Sequence, residues 1–158
     1  MSLHFQIDIA FDFKALPEGD IISGLENLSN NEVLTEEQKI YIPKILVNEI
    51  KCMADNFSFF GRDIFYFKKQ YRFTSNGIDM HKWTFHYRTM LSDDVFYEEG
   101  YPLLSWLALQ ADTNGFVGYI KEEFDASPRL LFFDNGEVTI KESEGKVIKY
   151  RYADFDVK

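Results

Sequence analysis

The stretch Ile78-Asp79-Met80-His81-Lys82-Trp83-Thr84-Phe85-His86-Tyr87-Arg88 alternates between two kinds of side chain. His81, Trp83, Phe85 and Tyr87 share one parity, and Lys82, Thr84, His86 and Arg88 share the other. A period of two is typical of a β-strand with one buried face. The turn sequence Ser75-Asn76-Gly77 precedes this strand, and the rings of Phe65, Phe67, Tyr71 and Phe73 share parity in the segment before the turn. The sequence therefore predicts a β-hairpin.

Upstream of the hairpin, the pattern predicts one strand and two helices. Alternating apolar residues from Phe5 to Phe13 indicate a half-buried strand. Helical spacing of apolar residues then predicts a short helix over residues 21–28. Thr35 with Gln38 has the form of a capping box, which predicts a second helix that reaches Asn56. Pro43 either kinks that helix or starts it afresh, because proline donates no amide hydrogen and clashes with the preceding turn.

Downstream, a buried helix over residues 101–109 precedes four predicted strands. Pro102 suits a helix start, and Asn114-Gly115 suits a stop. The strands cover residues 116–122, 129–133, 137–141 and 146–152, with glycine-containing turns between the last three. Gly115 and Gly118 favour a turn and a close backbone approach. The fold class is therefore α+β with a mostly antiparallel sheet, in a ferredoxin-like β-α-β-β-α-β order with extra C-terminal hairpin strands.

Composition sets limits on domain number and setting. A chain of 158 residues with 46% apolar and 17% aromatic side chains has the size and core of a single domain, 1–158. The lone Cys52 forms no internal disulfide, and no leader or long apolar run opens the chain. We expect a cytoplasmic protein with no membrane partner, and nothing in the sequence indicates a cofactor. Residues 1–3 could belong to an expression tag, in which case a removed leader is not visible.

Charge is unevenly distributed along the chain. The net charge is −9, and residues 1–60, 61–90 and 91–158 carry −6, +4 and −7 respectively. Bases and rings interleave in the middle segment, as in sheets that bind single-stranded nucleic acid. The residues concerned are Lys68, Lys69, Arg72, Lys82, Arg88, Tyr66, Tyr71, Trp83 and Tyr87. The acidic flanks repel polyanions, and strand bases ordinarily pair with acids across a sheet, so nucleic acid is disfavoured as a partner.

Catalytic and metal sites lack a positive signal. Five residues apart on a strand, His81 and His86 face opposite sides of the sheet and cannot share one metal ion unless a bulge intervenes. We interpret His81 as a partly buried, hydrogen-bonded side chain, and Cys52 as a small core residue. An enzyme remains the alternative, as a small hydrolase that uses His81 with Asp79 or Glu122. A third alternative is an assembly protein that uses a sheet edge or aromatic face.

The segments 104–108, 114–123 and 130–138 resemble small bacterial immunity proteins of polymorphic toxin systems. The resemblance rests on an apolar helix, a glycine-bearing strand that ends in acids, and a hairpin, all in the last third of the chain. It implies an acidic, cytoplasmic module that covers the surface of a toxin domain. A basic partner would meet the acids of a single face, where electrostatic attraction speeds association. We expect that face to comprise Asp93, Asp94, Glu98, Glu99, Glu122, Glu123 and Asp125, and the oligomeric state is left open.

Overall fold

A computed structural model describes residues 3–48, 63–142 and 144–155. In these ranges the chain forms a seven-stranded antiparallel sheet with helices, which confirms the predicted α+β class and antiparallel pairing. The strands are β1 (His4–Asp12), β2 (Ile64–Ser75), β3 (Ile78–Ser92), β4 (Gly115–Glu122), β5 (Arg129–Asp134), β6 (Glu137–Lys141) and β7 (Val147–Arg151). Their order across the sheet is β2-β3-β1-β4-β5-β6-β7.

Strand β1 lies in the interior of the sheet, between β3 and β4. Phe5 pairs with Leu91 on one side and with Glu122 on the other. The odd-numbered residues of β1 are buried and the even-numbered ones are not, as the alternation predicted. Its buried face joins the buried residues of the helices in one hydrophobic core. We call the other side, which carries Asp8 and Asp12, the open face.

The β2–β3 hairpin is present and longer than predicted, since β3 continues to Ser92. Asn76 and Gly77 both have positive φ, as a type I′ turn requires. The prediction that all four rings of β2 lie on one face is wrong for Phe73. The register shifts between Tyr71 and Phe73, so Arg72 is the extra residue of a bulge and Phe73 pairs with Met80 on the open face.

The helices before the hairpin are α1 (Ile21–Ser29) and α2 (Glu36–Tyr41). The predicted capping box is present: the Thr35 hydroxyl accepts from the Gln38 amide, and the Gln38 side chain accepts from the Thr35 amide. Helical structure stops at Ile42 and resumes over residues 44–48, so Pro43 starts a new helix rather than kinking one. The predicted end of this helix and Cys52 lie outside the described residues.

Between β3 and β4, a helical run begins with Asp93–Val95, passes through a π-helical turn at Phe96–Gly100, and ends in α3 (Tyr101–Gln110). Helix α3 is buried along most of its length and ends before the predicted stop at Asn114-Gly115. A 3₁₀ turn, Tyr152–Asp154, follows β7. None of the helices in the described ranges has the length and apolar character needed to span a bilayer.

Gly118 of β4 makes the close backbone approach that the sequence predicted. Its φ is 153°, and a Cβ at this position would lie 1.9 Å from the carbonyl oxygen of Asp8. No side chain fits in that space. Glycine at this position therefore allows β4 to pair closely with β1.

Candidate binding surface

The predicted acids lie at the end of the sheet where β1 begins. The backbone amide of Asp93 donates to the Leu3 carbonyl at 2.9 Å, and the amide of Glu123 donates to the His4 carbonyl at 2.9 Å. These two hydrogen bonds bring the end of β3 and the end of β4 to opposite sides of the same two residues. Acids that are about thirty positions apart in the sequence are therefore close in space.

Phe5 anchors the helical run that carries four of the acids. Its ring is fully buried and stacks on Phe96 at 4.1 Å between ring centroids. Tyr97 meets the same ring edge-on at 5.4 Å, and the Arg129 guanidinium lies 5.9 Å from its centroid. Offset-stacked and edge-on ring pairs stabilise such clusters beyond the area that they bury. The π-helical turn is thus fixed against β1, with Glu98 and Glu99 on its exposed side.

Three of the seven acids already have partners within the chain. Arg129 lies 3.3 Å from both Glu122 and Asp125, and His4 lies 3.2 Å from Glu123. The carboxylates of Glu122 and Asp125 are 21% and 31% exposed. Their charges are compensated locally, so they have less to offer a second protein.

The remaining acids divide by exposure. The Asp93 side chain is half-buried and accepts the Asp94 amide at 3.0 Å, at the start of the helical run. Asp94, Glu98 and Glu99 are exposed, and no ion pair within the described ranges holds them. We call these three residues the acidic rim.

A cleft of about 650 Å³ lies beside the acidic rim. Its lining comes from three separate parts of the chain: residues 39–45, residues 98–106 and the turn after β7. Trp106 and Leu103 contribute buried surface, whereas Ile40 is 77% exposed at the cleft. We call this the rim cleft. Sequence patterns did not reveal it, because its walls become neighbours only in the folded chain.

The bases of the hairpin are held by acids across the open face. Asp8 accepts from Arg88 Nε at 2.7 Å and lies 3.0 Å from His86 Nε2. Lys82 pairs with Asp112. Hydrogen bonding to Asp8 raises the pKa of the Arg88 guanidinium above its ordinary value. This cross-strand pairing follows the pattern that disfavoured a polyanion as partner.

The interleaved bases and rings do not form one surface. Tyr66, Lys68 and Lys82 lie on the open face, whereas Lys69 and Trp83 pair with each other on the opposite face. Trp83 stacks on Phe67 at 4.9 Å and is partly buried against the core. The interleaving in the sequence therefore corresponds to two faces with different surroundings.

His81 and His86 point to opposite faces, as predicted. His81 is exposed rather than partly buried, and its ring lies edge-on to Tyr71 at 6.0 Å. Asp79 accepts from the Thr74 hydroxyl at 2.7 Å. Glu122 pairs in register with Phe5, which is opposite Leu91, so it lies about 30 Å along the sheet from His81. Glu122 is therefore not brought to His81, and Asp79, two residues before His81, is hydrogen-bonded to Thr74.

No cluster of His, Cys, Asp and Glu within the described ranges has the arrangement of a metal site. Asp8, Asp12, Arg72 and Arg88 of the open face pair with one another, whereas the acidic rim beside the rim cleft is a group of exposed carboxylates that no ion pair in the described ranges holds. Comparisons of the chain with protein-family models, curated proteins and solved structures gave no match.

Proposed function

We propose that this chain is a binding module for a basic protein, of the immunity type, which covers the surface of a toxin domain in the bacterial cytoplasm. The observation that carries the proposal is a contrast in charge compensation. Arg72, Lys82 and Arg88 each have an acid partner on the open face, whereas the acidic rim has none within the described ranges. With a net charge of −9, the chain presents unpaired negative charge at one end.

The acidic rim suits a role in association. Exposed carboxylates attract a basic protein over several ångströms and orient it during encounter, which raises the association rate more than the final affinity. The half-buried Asp93 and the paired acids Glu122, Glu123 and Asp125 complete the same end of the molecule. We assign them to the outer part of the proposed contact, where they add to the negative potential.

We also infer that strands β2-β3-β1-β4 form a ferredoxin-like unit, with β5–β7 added at one side. Two features support this inference. Helices α1 and α2 follow β1, α3 follows β3, and the hairpin strand β3 lies between β1 and β2. Such a unit leaves one sheet face without helices and places the chain turns at the two ends, where the proposed partner docks.

The test measures association with the protein encoded next to this chain in its source genome, purified in a catalytically inactive form. The variant Asp94→Asn/Glu98→Gln/Glu99→Gln removes the charges of the acidic rim. The control Glu26→Gln/Glu32→Gln/Glu144→Gln removes three exposed carboxylates that do not line the rim cleft. Both variants have the same net charge, so a difference between their association rates reflects the position of the removed carboxylates.

We expect the association rate of the rim variant to fall about tenfold at low salt and to depend less on salt than that of the wild type. The control should stay within about twofold of the wild type by the same reasoning. Equal rates for the rim variant and the wild type at every salt concentration would remove the proposal, as would the absence of binding. Growth of cells that co-express the active neighbour then distinguishes inhibition from binding alone.

A further inference from the structure

We propose that the rim cleft receives an apolar anchor from the basic partner: a short segment in which a leucine or aromatic side chain is flanked by arginine. This inference rests on the proposed function and adds the chemistry of the docked segment. The rim cleft then binds the anchor side chain of the partner, and the acidic rim attracts and orients the partner during encounter.

The shape and lining of the rim cleft fit such an anchor. A volume of about 650 Å³ lies in the range of concave sites that enclose a ligand, and it exceeds that of a single side chain. Trp106 and Leu103 of α3 are 7% and 1% exposed and belong to the hydrophobic core, so this wall is rigid. Interfaces draw most of their affinity from a few apolar or aromatic anchors in such well-packed pockets.

The charges at the opening select the flanking residues. Glu98 and Glu99 line one wall, and no base within the described ranges pairs with them. On the other wall, Lys39 is already held by Glu36 at 2.6 Å, and Lys44 lies beside it. An arginine next to the anchor would meet the two glutamates, and its planar donor set suits a carboxylate. Lys44 also lines the rim cleft, so we expect one of the two flanking arginines to meet the glutamates and the other to point to solvent.

Charge also argues against a second copy of this chain as the occupant. Each copy carries a net charge of −9 and the same acidic rim, so two copies repel one another at this end. A basic segment has the opposite sign. The exposed Ile40 at the opening adds apolar surface that such a segment would cover.

The probe is the blocked peptide acetyl-Arg-Phe-Leu-Arg-amide, titrated into the full chain labelled with nitrogen-15. Two comparison peptides separate the contributions: acetyl-Glu-Phe-Leu-Glu-amide reverses the charge, and acetyl-Arg-Ser-Gly-Arg-amide lacks the apolar anchor. NMR shifts of the Trp106 indole and of the amides in residues 39–45 report occupancy of the rim cleft. We expect both comparison peptides to bind at least tenfold more weakly than the probe.

Two variants test the contacts without entering the core. Ile40→Ala should weaken the probe about fivefold, because it removes exposed apolar surface at the opening. Glu98→Gln/Glu99→Gln should remove most of the preference for arginine over glutamate. The matched control is Leu16→Ala, which truncates a side chain that is 93% exposed and does not line the rim cleft, and it should leave binding unchanged.

The outcomes separate this inference from the proposed function. If the neighbouring protein binds through the acidic rim, but Ile40→Ala leaves its affinity unchanged and the probe shifts no signal of the rim cleft, the inference is wrong and the proposed function stands. If the probe binds as expected and the neighbouring protein does not, the rim cleft is a recognition site and the proposed function fails. Equal binding of all three peptides would also overturn the inference.

Discussion

Arg72 reaches from β2 across β3 to Asp12 of β1, with Nη2 at 2.5 Å from Oδ1 and Nε at 3.3 Å from Oδ2. The Thr84 hydroxyl of the intervening strand donates to the same carboxylate at 3.0 Å. Burial alone would raise the pKa of the Asp12 carboxyl. Hydrogen bonds from Arg72 and Thr84, with the charges of Arg72 and Lys82, outweigh burial and hold that pKa below its ordinary value.

This contact predicts a pH dependence of stability. Because the pKa of Asp12 is lowered in the folded chain, its contribution is present above the pKa of the unfolded chain, about 4, and is lost as the pH falls from there through the lower folded value. Asp12→Asn should reduce the free energy of unfolding by about 1 kcal/mol at pH 7. Urea denaturation at a series of pH values should show a smaller acid loss for this variant than for the wild type. Glu144→Gln is the control, and equal acid losses for Asp12→Asn and the wild type would contradict the prediction.

Gly118→Ala should be the most damaging single-methyl change in the sheet. The added Cβ would overlap the Asp8 carbonyl oxygen, and the backbone of the sheet fixes the positions of both atoms, so neither can rotate away. We expect a loss of about 3 kcal/mol or more in the free energy of unfolding. Gly77→Ala is the matched control, since its φ is 76° and nothing lies within 4 Å of the added carbon. That control should lose only about 1 kcal/mol, and similar losses for the two variants would refute the steric argument.

Tyr150→Phe should stabilise the chain. The Tyr150 hydroxyl is buried, and within the described ranges it has no hydrogen-bond partner. Its ring packs edge-on against Tyr101 and Phe155, contacts that phenylalanine keeps. An unsatisfied buried hydroxyl costs about 1 kcal/mol or more, so its removal should raise the free energy of unfolding by a similar amount at pH 7.

The same variant should change behaviour in alkali. Burial raises the pKa of Tyr150 well above its ordinary value, so the unfolded chain loses the phenolic proton first as the pH rises. Below about pH 10 ionisation of Tyr150 does not affect the free energy of unfolding, and above it that free energy falls because the unfolded chain ionises more readily. Chemical denaturation between pH 8 and pH 11 should show a smaller loss for Tyr150→Phe than for the wild type. The control Tyr97→Phe removes an exposed hydroxyl, and an alkaline loss for Tyr150→Phe as large as that of the wild type would count against the prediction.

Gln38→Ala should destabilise the contact between α1 and α2. The Gln38 side chain is 5% exposed, accepts from the Thr35 amide at 2.9 Å, and donates to the Ser23 hydroxyl at 3.2 Å. Losing the capping box and a buried hydrogen bond should cost about 2 kcal/mol, measured by thermal or urea unfolding. Glu37→Ala lies on the same helix with an exposed side chain and should cost less than about 0.5 kcal/mol. A similar cost for both would show that the buried amide contributes little.

Much of the fold follows from period and turn chemistry. The alternation of β1 and β3 predicted their buried faces, and Asn76-Gly77 predicted the hairpin turn. Both predictions depend only on neighbouring residues in the sequence. Phe73 is the exception. One extra residue, Arg72, reverses its face, and no local property of the sequence distinguishes a bulge from a regular strand.

The surface was less predictable than the fold. Sequence analysis placed seven acids on one face. In the structure Glu122 and Asp125 form ion pairs with Arg129. Of the seven, only Asp94, Glu98 and Glu99 are exposed without an ion-pair partner in the described ranges. The distinction depends on where β5 places Arg129, a tertiary effect. The alternation of β1 indicates that Asp8 and Asp12 share the polar face, where hairpin bases could pair with them. Which base pairs with which acid depends on the register between the strands, and the sequence does not show that register.

The position of β1 between β3 and β4 has a consequence for folding during synthesis. The ribosome completes this strand roughly eighty residues before its partner β3 emerges, and β4 comes later still. The β2–β3 hairpin, closed by a two-residue turn, pairs locally and early. Strand β1 must then be captured between that hairpin and β4, so nascent chains expose its buried row, Phe5, Ile7, Ile9 and Phe11, until β4 has emerged. A chaperone that recognises alternating large apolar residues would find a binding segment in β1.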